Sequence, residues 1–210
     1  MDAVGRPLPS SLRATGSTIE LRIDARGARY PVSIDPLVQQ VGKIGSAEEV
    51  GPGTLGASIA LSADGNTALV GAPHDGGLAG GAWVFVRAGA QWIQQGPKLI
   101  AGEQALPGSS GDCGEGEGEG EACGFGGSVA LSADGNTAVI GSPAENGKLG
   151  AAWVFTRGGE VWSEQAELLP GAGEVGSAGH FGRAVALSGD GQEAMVAAPQ
   201  IGRASCRERV

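Results

Sequence analysis

The residues most able to do chemistry in this sequence are two cysteines set around a run of carboxylates. The stretch Asp112-Cys113-Gly114-Glu115-Gly116-Glu117-Gly118-Glu119-Gly120-Glu121-Ala122-Cys123 holds five carboxylates within ten residues. Such a run repels itself and stays hydrated, so a solvated acidic loop is expected. Cys113 and Cys123 bracket it and are read as a disulfide. A bridge closing so short a loop contributes about 2–3 kcal/mol and belongs to an oxidising compartment. Two free thiols, or a metal role for the cysteines or glutamates, are the alternatives. The only histidines are His74 and His180. Nucleophilic catalysis needs a base within reach of a hydroxyl or thiol and a third group to orient it. His74-Asp75 is the one local pairing, so both histidines are read as loop residues and no catalytic residue is assigned. Gly51-Pro52-Gly53-Thr54-Leu55-Gly56 and Gly171-Ala172-Gly173-Glu174-Val175-Gly176 fit G-x-G-x-x-G. A dinucleotide site needs that motif to open a helix, and the first copy leads into a strand pattern. No cofactor site is assigned.

The elements that would position any such residue follow from an internal repeat, the feature to seek first. Residues 55–73 lie on residues 125–143 without a gap and agree at 13 of 19 positions; residues 181–199 match the second copy at 10 of 19. Ile59 and Leu61 alternate with Ala60 and Ser62, the period of a half-buried strand. Asp64-Gly65 between two apolar runs predicts a tight I′ hairpin with positive φ at both central residues. The next strand, Ala68-Leu69-Val70-Gly71-Ala72, is apolar throughout and should be buried on both faces, with Gly71 marking a close backbone approach. Trp83-Val84-Phe85-Val86 makes a third strand and residues 92–99 a fourth. Trp83 and Trp92 return as Trp153 and Trp162, which assigns all four tryptophans to the core. Helix signals are almost absent. Four short strands per unit is the sequence form of a propeller blade.

Composition excludes several classes. Forty Gly and 11 Pro among 210 residues bring the chain near disorder, but a disordered tract has no reason to keep large apolar residues in register. The net charge of −9 argues against a nucleic-acid partner. No apolar run approaches the ~18 residues of a membrane span. Met1-Asp2-Ala3-Val4-Gly5-Arg6 lacks a signal-peptide core, and the native start is expected upstream.

Phe125-Gly126-Gly127-Ser128-Val129-Ala130-Leu131, running to Val139-Ile140-Gly141-Ser142-Pro143, resembles the FG-GAP repeat of integrin α-subunits and of bacterial secreted and surface proteins. Residues 55–73 and 181–199 fit the same pattern. Leu21 to Asp24 and Tyr30 to Pro36 resemble the segment that precedes such repeats in large bacterial exoproteins. The resemblance implies an all-β, incomplete β-propeller: two full four-stranded blades and parts of two others, preceded by a short β-hairpin segment. The expected divisions are a β segment over 1–36 and a propeller fragment over 37–200. The fragment comprises a stray outer strand and loop (37–54, with Val38-Gln39-Gln40 and Lys43-Ile44 matching Ile93-Gln94-Gln95 and Lys98-Leu99), a blade (55–109), the acidic insert (110–124), a blade (125–180) and the start of a third (181–200). Residues 201–210 resemble one frame of a sequencing-library adapter and are expected to be non-native.

Calcium-binding FG-GAP blades carry Asp-x-Asp/Asn-x-Asp-Gly, because Ca²⁺ takes six to eight oxygen ligands. Here the loop offers one carboxylate per copy, leaving Asp64, Asp134 and Asp190 as weak metal candidates and calcium poorly supported. The family likeness implies a non-catalytic, secreted or cell-surface scaffold for a protein or glycan ligand. A scaffold propeller of a larger extracellular enzyme and a calcium-stabilised adhesion module are the alternatives. Exposed blade edges would favour self-association.

Overall fold

The computed structural model describes residues 2–4, 6–15, 18–30, 32, 43–89, 91–102, 124–171, 179–199 and 207–209. The chain divides into two compact units, Met1–Gln40 and Val41–Val210. In the first, β1 (Ser10–Thr15) and β2 (Thr18–Ile23) pair as an antiparallel hairpin, Ser10 opposite Ile23. The buried Asp2 carboxylate of this unit accepts the N–H groups of Val4 and Arg6.

The second unit is built from antiparallel sheets whose strands pair in chain order. The first sheet is β3 (Ser58–Leu61), β4 (Thr67–Ala72), β5 (Gly81–Ala88) and β6 (Gln91–Gln94). The next is β7 (Ser128–Leu131), β8 (Thr137–Ser142), β9 (Ala151–Gly158) and β10 (Val161–Leu168). A third has β11 (Ala184–Leu187), β12 (Glu193–Ala197) and β13 (Arg207–Arg209). The repeat carries the register with it: Ile59, Val70 and Trp83 align across one sheet, as Val129, Ile140 and Trp153 do across the other. None of the sheets closes on itself. Among the described residues the chain is all-β apart from two single turns, α1 (Asp75–Leu78), in which Gly76 and Gly77 have positive φ, and α2 (Glu145–Lys148), too short for a helical period to show in sequence.

Three details differ from expectation. The hairpin turns are not two-residue I′ turns. Ser62 N–H donates to Thr67 C=O and Gly65 N–H to Ser62 C=O, both at 2.9 Å. Of the two central residues only Gly65 has positive φ, at +67°. The polar side chains of Ser62 and Asp64 close this wider loop and so relieve the demand on backbone twist. The fourth strand is also shorter in the first sheet: β6 ends at Gln94, and Leu99 returns to pair with Ala82. In the second sheet β10 runs on to Leu168, with a bulge between Glu164 and Ala166. Finally, β13 holds Arg207-Glu208-Arg209 in the sheet position that Val84-Phe85-Val86 fill in the first sheet.

The sheets pack face on face. Leu69 and Val84 of the first sheet bury against Phe125, Ala138, Ile140, Trp153 and Phe155 of the second. Val139 and Val154, on the opposite face of the second sheet, bury against Phe181, Ala194 and Val196. The remaining face of the first sheet, with Val70, Trp83 and Phe85, is covered by Ile44 and Leu55. All six residues of β4 are buried, so the fully apolar strand is indeed enclosed on both sides. Gly71 shows why a side chain is missing there: a Cβ would lie 2.1 Å from the Gly126 carbonyl oxygen. Gly141 repeats the arrangement, 2.1 Å from the Gly182 oxygen.

Candidate functional site

The three Asp-Gly turns stand beside one another. Ala63 N–H donates to Ala133 C=O and Ala133 N–H to Gly189 C=O, each at 2.9 Å. Within a turn the carboxylate serves the backbone. Asp64 Oδ1 accepts the Ser62 hydroxyl at 2.6 Å and the Asn66 N–H at 3.0 Å, and Oδ2 accepts the Asn66 side-chain amide at 3.0 Å. Asp134 makes the same three bonds with Ser132 and Asn136. Asp190 accepts Ser188 at 2.5 Å and the Gln192 N–H at 3.1 Å. The Ser62 hydroxyl first, then the Asn66 donors, hold the Asp64 carboxyl down at about 2. Asp134 and Asp190 are lowered by their serine hydroxyls in the same way. These geometries cap turns. Among the described residues no three His, Cys, Asp or Glu side chains gather as a metal site.

A pH dependence follows. A carboxyl whose folded value lies near 2, below its ordinary 3.8, contributes stability that is fully present above about pH 4 and lost as pH falls toward 2. Thermal melts followed by circular dichroism should therefore drop as pH falls below about 4. Asp64→Asn with Asp134→Asn should flatten that drop.

A second polar cluster escaped the sequence reading. Asp75 is fully buried; its Oδ1 accepts Val50 N–H at 2.5 Å and its Oδ2 accepts Lys98 Nζ at 2.6 Å. The Lys98 ammonium also lies 5.8 Å from the Trp83 ring centroid. Glu48 Oε2 accepts Trp83 Nε1, the Gln94 amide and Lys98 N–H at 3.3, 2.9 and 3.0 Å. Residues 46–50 are thereby tied to β5 and β6. The two copies differ here: Asp75 becomes Glu145, and because Leu99 faces Ala82 as Leu168 faces Ala152, the bulge in β10 puts Glu167 where the first sheet has Lys98. With a carboxylate in place of that lysine, burial first and then the charge of Glu167 push the Glu145 carboxyl up, against the Ser142 hydroxyl at 3.4 Å. Lys98→Met would leave a buried charge without its cation, a loss of several kcal/mol in general. With Lys98 itself a quarter exposed, we expect about 3 kcal/mol by urea denaturation, with most of it recovered in Asp75→Asn/Lys98→Met.

The other candidates are placed as follows. His74 N–H donates to Gly53 C=O after β4, and His180 N–H donates to Lys148 C=O before β11. The Gly51–Gly56 motif opens onto β3, a strand, so the helix a pyrophosphate needs is not there. Trp83 and Trp153 are buried in the sheet packing. Cys113, Cys123 and the acidic insert lie outside the described residues, as do residues 172–178 and the segment Val38-Gln39-Gln40.

The fold thus defines an all-β chain of repeated antiparallel sheets whose polar clusters brace turns and joints. No protein-family model matches the chain, and no curated protein matches it. Among solved structures, hydrazine synthase of Kuenenia stuttgartiensis is similar at 15% identity with a TM-score of 0.39. The match covers 74% of this chain and 32% of that one, so this chain spans about a third of that protein.

Proposed function

We propose that residues 37–200 are a run of FG-GAP-like propeller blades, acting as a non-catalytic scaffold that is secreted or displayed on a cell surface. The observation that carries this reading is the repetition of the joint between sheets. Ser58 Oγ donates to Gly126 C=O at 2.7 Å, and Ser128 Oγ donates to Gly182 C=O at 2.8 Å. Phe125 bridges to Gly80 as Phe181 bridges to Gly150. Blades of a propeller pack through such recurring joints, and their loops are left to bind. The ligand class is a protein or glycan, and the polar groups in hand serve structure rather than acid–base chemistry. A crystal structure should relate successive sheets by one constant rotation about a common axis. Surface plasmon resonance on immobilised glycans and extracellular-matrix proteins should give saturable binding without turnover. Unrelated sheet rotations would overturn the blade reading; hydrolysis of an offered ligand, or no binding by a correctly folded chain, would overturn the scaffold reading.

A further inference from the structure

Exposure along the leading strand of each sheet shifts in order through the chain. In β3, Ile59 and Leu61 are 61% and 56% exposed. At the same repeat positions, Val129 and Leu131 of β7 pack against the cluster containing Leu69 and Val84. Val185 and Leu187 of β11 pack against Val139 and Val154. The opposite face runs the other way. Leu69 and Val139 are 0% exposed, whereas Met195, in the same place on β12, is 58% exposed. Ala184 and Ala186 on that side of β11 are exposed as well. The stack therefore presents one bare face of each kind, and the chain itself shows twice what covers such a face: the complementary face of a sheet with the same sequence pattern.

We propose that the chain associates head-to-tail with a second copy, the β11–β12 face around Met195 receiving the β3 face around Ile59 and Leu61. The backbone supports the same direction. The series from Ala63 N–H to Ala133 C=O and from Ala133 N–H to Gly189 C=O ends, among the described residues, on an Ala63 C=O and a Gly189 N–H with no backbone partner. Those two groups are the acceptor and donor that the next joint would use. Because two different patches meet, the contact is heterologous and can extend beyond a dimer. Ile44 and Leu55 already cover Val70, Trp83 and Phe85, so the free strip is narrow. The association belongs to the weak, transient class of small interfaces. The proposal holds whether or not the sheets are propeller blades.

Sedimentation velocity of the whole chain under reducing conditions tests it. The wild-type coefficient should rise between about 5 and 200 µM. Leu61→Glu and Met195→Glu each change an exposed side chain and should melt like wild type while remaining monomeric. Should Leu61→Glu fail to fold, Ile59→Glu replaces it. Mixing the two variants restores one intact pair of faces, so the mixture should form a dimer that grows no further. A wild-type monomer at 200 µM overturns the proposal. So does Met195→Glu dimerising alone while Leu61→Glu does not, the signature of a face meeting its own copy. Association of both variants alone, or a mixture that stays monomeric, overturns it too.

Discussion

Gly150→Ala should destabilise the Val41–Val210 unit by about 2–5 kcal/mol, the sum of two separable costs. Gly150 has φ +81°, where a residue with a Cβ pays about 1–2 kcal/mol. A Cβ there would also lie 2.0 Å from the Phe181 carbonyl oxygen and 2.5 Å from its nitrogen. Both are backbone atoms, so no rotamer change relieves the clash, and overpacking of this kind costs about 1–3 kcal/mol more. Gly159 separates the two causes. It has φ +67°, but a Cβ there meets nothing within 4 Å, so Gly159→Ala should cost only about 1–2 kcal/mol. Urea unfolding of both variants measures the difference. Equal losses would mean that the joint between the second and third sheets yields, and that Phe181 is not pinned on Gly150.

What the sequence conveyed of this architecture was the part that repeats locally. The alternation of Ile59 and Leu61, the unbroken apolar strand at residues 68–72 and the aromatic strand at Trp83 each lie within a few residues, so periodicity alone locates β3, β4 and β5. The close approach at Gly71 was legible too, because a glycine inside a buried strand needs a reason. The hairpin turn was misjudged because the Ser62 hydroxyl and the Asp64 carboxylate compete with the backbone for its hydrogen bonds. The Asp75–Lys98 pair joins residues 23 apart, and Glu48 reaches Trp83 across 35; the path of residues 46–50 sets both, and no local pattern encodes it. Exposure was hidden for a different reason. Ile59, Val129 and Val185 are equivalent in sequence, and only the presence of a neighbouring sheet distinguishes them. The association inferred for the chain rests on that distinction, one of position within the stack rather than of residue type.

Phe125→Ala should cost about 3–5 kcal/mol, the range for removing a fully buried aromatic ring. The ring is 0% exposed and meets Trp153 edge-on at 5.3 Å between centroids, and Phe155 at 6.2 Å. Each such edge-to-face pair adds about 0.5–1.5 kcal/mol beyond area burial. The loss falls at a joint, because the Phe125 backbone bridges to Gly80 while its ring fills the space between the first two sheets. A cavity there lowers the stability of the contact between sheets as well as of either sheet alone. Phe125→Leu should be far milder, about 1 kcal/mol, since Leu55 occupies the same repeat position and packs against Trp83 and Phe85. Phe181→Ala provides the comparison: Phe181 is 3% exposed at the equivalent joint, but the strand that supplies Trp153 and Phe155 to Phe125 is replaced in the third sheet by Arg207-Glu208-Arg209. Its loss should be smaller by the two aromatic pairs, about 1–3 kcal/mol together. Urea midpoints give the three costs, and a red shift of tryptophan emission in Phe125→Ala alone would report water reaching Trp153. Equal costs at Phe125 and Phe181 would show that the rings act through burial and that the edge-on geometry contributes nothing.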